Sequence, residues 1–355
     1  MTTIGMLSRL SADAALLRGR MEVLTRQVAS GQRGDALGDL SPALPRALDL
    51  KAEIGRRDLY GKAVEQALGR AAAMQQALSR LTAIARDFAD TVAMRLDPND
   101  PQGVTFAATK ARSAMAEVAG LLNSRHAGEY LFGGSDLANP PVPDAANIAG
   151  GGMATQIATA ITGLGGGNAA AVGAATRAAA QSDAAGITPF SAFLSDPAAG
   201  LAEPRRGVPA GEGEVIPYGI AANRNAAATS AGETTGGWAR DLLRGLASIA
   251  ALGPAQAAQP QDFNALRDII RNGLKSAETA LSDEAGALGD TEARLEATRR
   301  RQSDLSDVLQ QQVADIQEVD LATTITKLQA TQAALQASYA ATGRLAGLSL
   351  VNFLR

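Results

Sequence analysis

The N-terminal stretch shows a regular alternation of apolar and polar positions. Its apolar residues are spaced by three and four in turn, which is a heptad repeat, at Leu7, Leu10, Ala14, Leu17, Met21, Leu24 and Val28. This spacing places them along one side of a helix, and such a narrow apolar stripe is typical of a helix that packs against a partner helix. Gly31 and Gly34 follow the last apolar position and predict that the helix ends there.

The C-terminal end carries a second stripe of this kind. Its apolar positions lie three, four or seven residues apart, at Leu321, Ile325, Leu328, Leu335, Tyr339, Leu345 and Leu348. Between residues 322 and 350 only Lys327 and Arg344 are ionised, and the other flanking residues are small and uncharged. A helix of this composition is packed on several sides, either against neighbouring copies or within a monomer, and the segment alone favours neither.

Two further helices are predicted in the N-terminal half. The second covers residues 47–96, with apolar positions spaced by three and four from Val64 to Val92, and the prolines at 98 and 101 end it. The third covers residues 103–125. Since the connection between them is short, these two helices are expected to be antiparallel neighbours.

A long helical segment is predicted from about residue 262 onward. It keeps a seven-residue repeat at Leu288, Leu295, Leu309 and Ile316. Leu305 and Val319 are assigned to the second position of this seam, and Gln302 and Gln312 interrupt it.

Residues 137–235 differ in composition from both ends. Glycine, proline and alanine are crowded together and no helical seam persists, while short strands are predicted at residues 190–194 and 214–220. We interpret this stretch as a separate small α+β or irregular domain inserted into the helical body.

The predicted fold class is therefore mainly α: an elongated antiparallel helical bundle or coiled coil formed by both chain ends, with a small insertion. The predicted segments are an N-terminal assembly helix (1–34), the two halves of a helical body (35–136 and 236–315), an outer insertion (137–235) and a C-terminal assembly helix (316–355). A pair of terminal helices is marginal alone, so we expect it to be mobile in the monomer and ordered on assembly.

Composition and charge exclude several classes. The net charge of −3 gives no basic excess for holding nucleic acid. Cysteine is absent, so disulfides and thiolate metal sites are excluded. No apolar run reaches the roughly 18 residues that a membrane span needs, and the N-terminus does not read as a cleaved signal peptide. Membrane insertion is therefore not expected, and export is expected to proceed without a cleaved signal.

Catalytic chemistry finds little support in the sequence. The single histidine, His126, is assigned to the end of the third helix in a structural or surface role. Asp315, Glu318 and Asp320 lie close enough in sequence to hold a cation, but a solvated face or a helix break is favoured. No catalytic, cofactor-binding or metal-ligating residues are predicted, and the protein is not expected to be an enzyme.

Three motifs resemble the bacterial flagellin family. The C-terminal run Leu335-Gln336-Ala337-Ser338-Tyr339-Ala340-Ala341-Thr342, continued by Leu348-Ser349-Leu350-Val351-Asn352-Phe353-Leu354, is similar to the family's C-terminus. Val28-Ala29-Ser30-Gly31-Gln32-Arg33 resembles the turn after its first helix. Gly128-Glu129-Tyr130-Leu131-Phe132-Gly133-Gly134 resembles the hook–filament junction branch more than filament flagellins. The aspartates of that branch's paired-aspartate motif are missing at Ser41-Pro42-Ala43.

The resemblance implies a structural axial protein of the flagellum that joins hook to filament. It implies export through the flagellar type III apparatus, an export chaperone on the C-terminal helix, and a homo-oligomeric helical ring outside the cell beside a hook-associated protein and flagellin. The predicted assembly interface comprises all residues of the two terminal stripes except Ala14. Two alternatives remain open: the filament subunit itself, and a coiled-coil module that binds a partner or a membrane surface.

Overall fold

The computed structural model describes the backbone of residues 2–34 and 42–353 and the side chains of residues 8–34 and 42–344. The described chain is mainly α-helical, which confirms the predicted fold class at that level. The longer helices are α1 (Thr2–Ser30), α2 (Leu44–Asp87), α4 (Pro101–Leu122), α5 (Gly152–Thr162), α6 (Ala169–Gln181), α8 (Trp238–Ala251), α10 (Pro260–Gln317) and α11 (Leu321–Phe353). Short helices are α3 (Ala93–Arg95), α7 (Ala192–Ser195) and α9 (Pro254–Ala257).

The β structure in the described residues consists of two antiparallel hairpins and one isolated bridge. Strand β1 (Arg125–His126) pairs with β2 (Glu129–Tyr130), and β3 (Gly207–Gly211) pairs with β4 (Glu214–Pro217). The strand predicted from residue 214 is confirmed as β4, which ends at Pro217 rather than at residue 220.

The chain divides into two compact units. Unit 1 comprises Met1–Leu59 and Gln302–Arg355, and unit 2 comprises Tyr60–Arg301. Helices α2 and α10 contribute residues to both units. The five segments predicted from the sequence stay a prediction.

The predicted second helix corresponds to three consecutive helical segments in the structure. Helix α2 continues through a π-helical turn at Phe88–Val92 into α3, and regular helix ends before the prolines, as expected. Helix α4 then begins with Pro101 in its first turn, where the Asp100 carboxylate accepts the Gly103 N–H at 2.9 Å. Proline is tolerated at the first helical position because a backbone N–H there would have no partner within the helix.

The end of the third helix and the place of His126 differ from the prediction. Helix α4 ends at Leu122 rather than at residue 125, and Asn123 is its C-cap. His126 therefore lies on strand β1 beyond the helix, so its assignment to the helix end is wrong. A side chain at position 69 would place its Cβ atom 3.2 Å from the His126 Nε2 atom, so glycine at this position leaves space for the imidazole ring.

Residues 137–235 share the hydrophobic core of unit 2. Ile157, Leu194 and Tyr218 from this stretch join one apolar cluster with Phe88 and Trp238. Helices α5 and α6 lie within the stretch, so the statement that it has no helical seam is wrong. Alanine and glycine make up most of the buried residues of α6, and such a composition resembles that of a loop.

The strand predicted at residues 190–194 is also wrong. Ser191 is the N-cap of the short helix α7, and its Oγ accepts the Leu194 N–H at 3.3 Å. The local serine cap outweighs the apolar run that suggested a strand.

The buried stripe in the unit 1 part of α10 is more polar than the sequence suggested. Gln302, Ser306 and Val313 are buried, whereas Leu305 is 42% exposed, so the assignment of Leu305 to the seam is wrong. The buried side of α10 is spaced by four and three residues in turn and includes Gln302, Ser306, Leu309 and Val313. The Ser306 Oγ donates to the Asp58 carboxylate at 3.2 Å, which compensates its burial.

No helix among the described residues combines the length and the apolar character that a bilayer span requires.

Candidate assembly surface on the terminal helices

The apolar stripe of α1 faces α11, as its spacing predicts. Ala14 and Leu24 are buried, and Leu10, Leu17, Met21 and Val28 are partly buried, whereas most positions between them are exposed. The two helices pack together along their length. The side chain of Leu7 lies outside the described residues.

Helix α11 contributes a different set of residues to this contact from the predicted one. Thr324, Thr331 and Leu335 are buried, and Leu328 is partly buried. The predicted stripe residues Leu321, Ile325 and Tyr339 are instead 47%, 41% and 45% exposed. The side chains of Leu345 and Leu348 lie outside the described residues.

The hydroxyl groups of the buried threonines bond within their own helix. The Thr324 Oγ1 donates to the Asp320 carbonyl at 2.8 Å, and the Thr331 Oγ1 donates to the Lys327 carbonyl at 2.7 Å. Threonine can therefore occupy a buried position of α11 without an unpaired polar group, and its methyl group remains available for packing.

The direction of the pairing follows from two contacts. One guanidinium nitrogen of Arg18 donates to the Tyr339 hydroxyl at 2.6 Å, and Gln32 pairs with Glu318 in an isolated antiparallel bridge. Because the partner number falls as the α1 number rises, the helices are antiparallel. The hydrogen bond to Tyr339 also raises the pKa of Arg18, which stays charged throughout the usual pH range.

The turn after α1 is joined to the break between α10 and α11. Gly31 adopts the left-handed region with φ of +72°, and its carbonyl accepts the Val319 N–H at 2.9 Å. The Arg33 N–H donates to the Gln317 carbonyl at 2.7 Å, and its Nε donates to the Glu318 carbonyl at 2.9 Å. These bonds satisfy backbone groups at the ends of both helices and fix where each helix ends.

Asp320 is the N-cap of α11. Its carboxylate accepts the N–H groups of Ala322 at 2.9 Å and Thr323 at 3.2 Å, and also the Thr323 hydroxyl at 2.7 Å. The Thr323 hydroxyl bond is the largest cause that lowers the pKa of Asp320. This confirms the favoured interpretation of the acidic residues 315–320 as a helix break. Across the described residues no cluster of three His, Asp or Glu side chains has the geometry for a metal ion.

A second set of large apolar side chains in unit 1 faces solvent. Besides the three exposed residues of α11, it comprises Leu16, Val23, Leu48, Leu59, Leu305 and Val308. Leu16 and Val23 are seven residues apart, so they lie on one side of α1 outside the paired stripe. Leu48 and Leu59 are eleven residues apart, or three helical turns, and likewise share one side of α2. We call these nine residues the exposed apolar set of unit 1.

Large apolar side chains that face solvent on several helices can mark a surface that contacts another molecule. Residues 272–354 match the family profile for the bacterial flagellin C-terminal helical region. The match covers less than a quarter of the chain, and it shows that this C-terminal segment is similar to the corresponding region of bacterial flagellins. No curated protein matches the chain at a significant level.

Sequence reasoning missed the buried threonines of α11 and the members of the exposed apolar set that lie on α1, α2 and α10. Thr324, Thr331 and Ser338 repeat every seven residues, and this period was the available signal. The apolar residues beside these positions give a stronger hydrophobic pattern, which favours the neighbouring face of the helix. The exposed set has weaker signals, since each helix carries only two or three of its members.

Proposed function

We propose that this protein is a structural axial protein of the bacterial flagellum that joins the hook to the filament. It would assemble outside the cell as a helical ring of identical copies and would carry no enzymatic activity. The match over residues 272–354 supports the flagellar class.

The observation that carries the assembly role is the exposed apolar set of unit 1. Large apolar side chains that face water on several helices lower the free energy when a neighbouring copy covers them. Two different surfaces that meet head to tail, without closing into a small ring, generate a helical arrangement. We propose that the set contacts neighbouring copies, and that the α1 stripe from Leu10 to Val28 packs with Leu328 and Leu335 of α11. We assign Leu7, Leu345 and Leu348 to the assembly interface from the sequence alone.

The junction role draws on the segment between β1 and the start of the insertion. Tyr130 belongs to strand β2, and Phe132 is fully buried with its ring 6.3 Å from that of Trp238 in an edge-to-face arrangement. An aromatic residue held in this way fixes the path of the chain as it leaves α4. Residues 128–134, which resemble the junction branch, thus include an aromatic side chain that packs in the core of unit 2.

The proposed partners follow from this position. They are a hook-associated protein on one side, flagellin on the other, and an export chaperone that covers α11 before assembly. Export would use the flagellar type III apparatus.

Deletion of the gene in the source bacterium tests the junction role. We expect hooks without filaments, with flagellin released into the medium, and restoration of filaments by the intact gene. Full-length filaments on the deletion strain would exclude the junction role.

A filament subunit is the second candidate, because the family match fits it equally well. For that candidate, the deletion strain would lack filaments and would release no flagellin of another kind into the medium. A coiled-coil binding module is distinguished by the purified monomer, since its terminal helices would resist protease without any assembly.

A further inference from the structure

Unit 2 contains a cavity of about 180 Å³ whose wall is rich in arginine. Four arginines line it: Arg70, Arg205, Arg206 and Arg224. Two carboxylates oppose them. Glu203 lies in the same wall, where it accepts the Ser135 N–H at 3.1 Å, and Glu129 bonds to Arg70 and Arg206. The described wall therefore has an excess of positive charge.

Arg70 is the most deeply placed of these arginines. Its side chain is buried, its Nη1 donates to the Glu129 carboxylate at 2.6 Å, and its Nη2 donates to the Tyr130 carbonyl at 3.0 Å. Its Nε is buried and has no hydrogen-bond partner among the described residues. Burial, and then the charge of Arg206, lower the pKa of Arg70. A buried guanidinium with an unused donor favours a negatively charged group beside it.

Arg206 shares the carboxylate oxygen of Glu129 with Arg70, at a longer distance of 3.3 Å. One oxygen atom thus serves two guanidinium groups. Arg206 and Tyr218 also line an adjoining cavity of about 450 Å³, together with Arg70 and His126. Arg206, Arg70 and Tyr218 thus lie at the boundary of both cavities.

The two outer arginines are held by backbone carbonyls. The Arg205 Nε donates to the Gly219 carbonyl at 3.1 Å, and Arg224 donates to the carbonyls of Leu201 and Glu203. Carbonyl oxygens fix these guanidinium groups in place but do not neutralise their charge. The positive charge of the wall is therefore held rigidly around the cavity.

We propose that this cavity binds a small oxyanion group, a phosphate or a carboxylate, through Arg70 and Arg206 with the Tyr218 hydroxyl as a further donor. A guanidinium presents paired N–H donors in a plane that matches two oxygens of such a group. The cavity has room for several water molecules at roughly 30 Å³ each, and therefore for one group of this size. This site is independent of the proposed assembly role, because it lies within unit 2.

The test measures binding to the full-length protein by isothermal titration calorimetry at low ionic strength. Two ligands separate the sources of the oxyanion: inorganic phosphate represents a free tetrahedral anion, and acetate represents the carboxylate of an acidic side chain. We expect one of them to bind at one site per chain. Arg206→Gln should weaken this binding by about tenfold or more, as expected for the loss of a charge-assisted hydrogen bond.

Arg294→Gln is the matched control, because Arg294 is an exposed arginine of unit 2 that bonds to Glu214 outside the cavity. It should leave the dissociation constant within about twofold of the unchanged protein. Arg70→Lys keeps the charge but removes the Nε donor, and it should also weaken binding. Circular dichroism confirms that each variant is folded.

Absence of saturable binding by both ligands would overturn the proposal. Binding that Arg206→Gln and Arg70→Lys leave unchanged in folded protein would overturn it as well. Tighter binding of acetate than of phosphate would support a carboxylate as the natural group, and the reverse order would support a free oxyanion.

Discussion

The Tyr339 hydroxyl accepts a hydrogen bond of 2.6 Å from Arg18, a residue 321 positions earlier in the chain. This contact fixes the register of two antiparallel helices at the opposite ends of the polypeptide. Both side chains are exposed, so they guide the pairing more than they stabilise it.

Replacement of Tyr339 by phenylalanine tests this distinction. We expect Tyr339→Phe to raise the protein concentration needed for assembly by no more than about threefold, because an exposed charged contact contributes little to stability. Light scattering of the purified protein at increasing concentration provides the measurement. A complete loss of assembly would show that this single bond holds the helices together.

Leu335→Asp should separate the two terminal helices. Leu335 is 7% exposed. A carboxylate buried at that position without a partner would destabilise the helix pair by on the order of several kcal/mol. We expect assembly to be lost, as measured by light scattering of the purified protein, while the melting transition of unit 2 stays nearly unchanged. Ala333→Asp, at an exposed position of the same helix, is the matched control and should still assemble. Incorporation of Leu335→Asp into flagella at the normal level would count against the proposed pairing.

The exposed apolar set is tested by Leu16→Ser combined with Val23→Ser. Both residues face solvent in the single chain, so the free energy of unfolding should change by less than about 0.5 kcal/mol per substitution. Assembly should be strongly impaired, because those side chains would lose the apolar area that a neighbouring copy covers. Light scattering of the purified protein at increasing concentration measures this. Ala15→Ser is the control, and an equal loss of assembly in that variant would remove the case for a specific surface.

The buried carboxylate of Glu284 organises the loop before α8. Its Oε1 accepts three backbone N–H groups, from Ala226 at 2.5 Å and from Ala227 and Ala228 at 3.0 Å each. Glu284→Ala leaves these donors without their acceptor and should lower the free energy of unfolding by about 2 to 4 kcal/mol.

Urea denaturation measures this loss. Glu284→Gln keeps an acceptor oxygen and should lose about half as much. Asp283→Ala, at the exposed neighbouring position, should have almost no effect. A loss in Asp283→Ala equal to that in Glu284→Ala would contradict the assigned role.

Asp241 gives unit 2 a defined pH dependence. Burial is the largest cause that raises the pKa of this carboxyl above its ordinary value of 3.8, against hydrogen bonds from Thr234 and Thr235. The folded state then holds the proton more tightly than the unfolded state. The contribution of Asp241 to stability is therefore present below pH 3.8 and falls as the pH rises through its folded pKa.

Urea denaturation between pH 4 and 7 checks this sign. The stability of Asp241→Asn relative to the unchanged protein should rise with pH over the lower part of this range and then level off. Asp268→Asn, at an exposed position, should show no such trend. A relative stability of Asp241→Asn that falls with increasing pH would contradict the assigned shift.

The sequence allowed prediction of the elements that depend on a strong repeat or a clear stop signal. The α1 stripe and the end of the second helix before Pro98 were found in this way, because helical spacing and proline act locally. The prediction that Leu305 belongs to the buried side of α10 is wrong because Gln302 and Ser306 are buried there instead. A polar side chain can be buried at such a position when a distant residue, here Asp58 for Ser306, forms a hydrogen bond with it. That partner lies 248 positions away and leaves no local signal.

The candidate site was predicted in outline rather than in detail. The stripe on α1 was identified, but the predicted face of α11 is rotated from the observed one, so that Ile325 and Tyr339 flank the contact. The hydroxyl of each buried threonine bonds to a carbonyl of its own helix, which leaves the methyl group available for packing. Hydrophobicity alone does not predict that threonine can occupy such a buried position. The arginine cavity of unit 2 is assembled from segments far apart in sequence, and neither spacing nor composition indicates it.

The location of the protein along isolated flagella tests the central claim most directly. Immunogold electron microscopy with an antibody against the full chain should label one narrow zone between hook and filament. Label along the whole filament would contradict the junction role, and flagella without any label, in cells that produce the protein, would contradict a structural role in the flagellum.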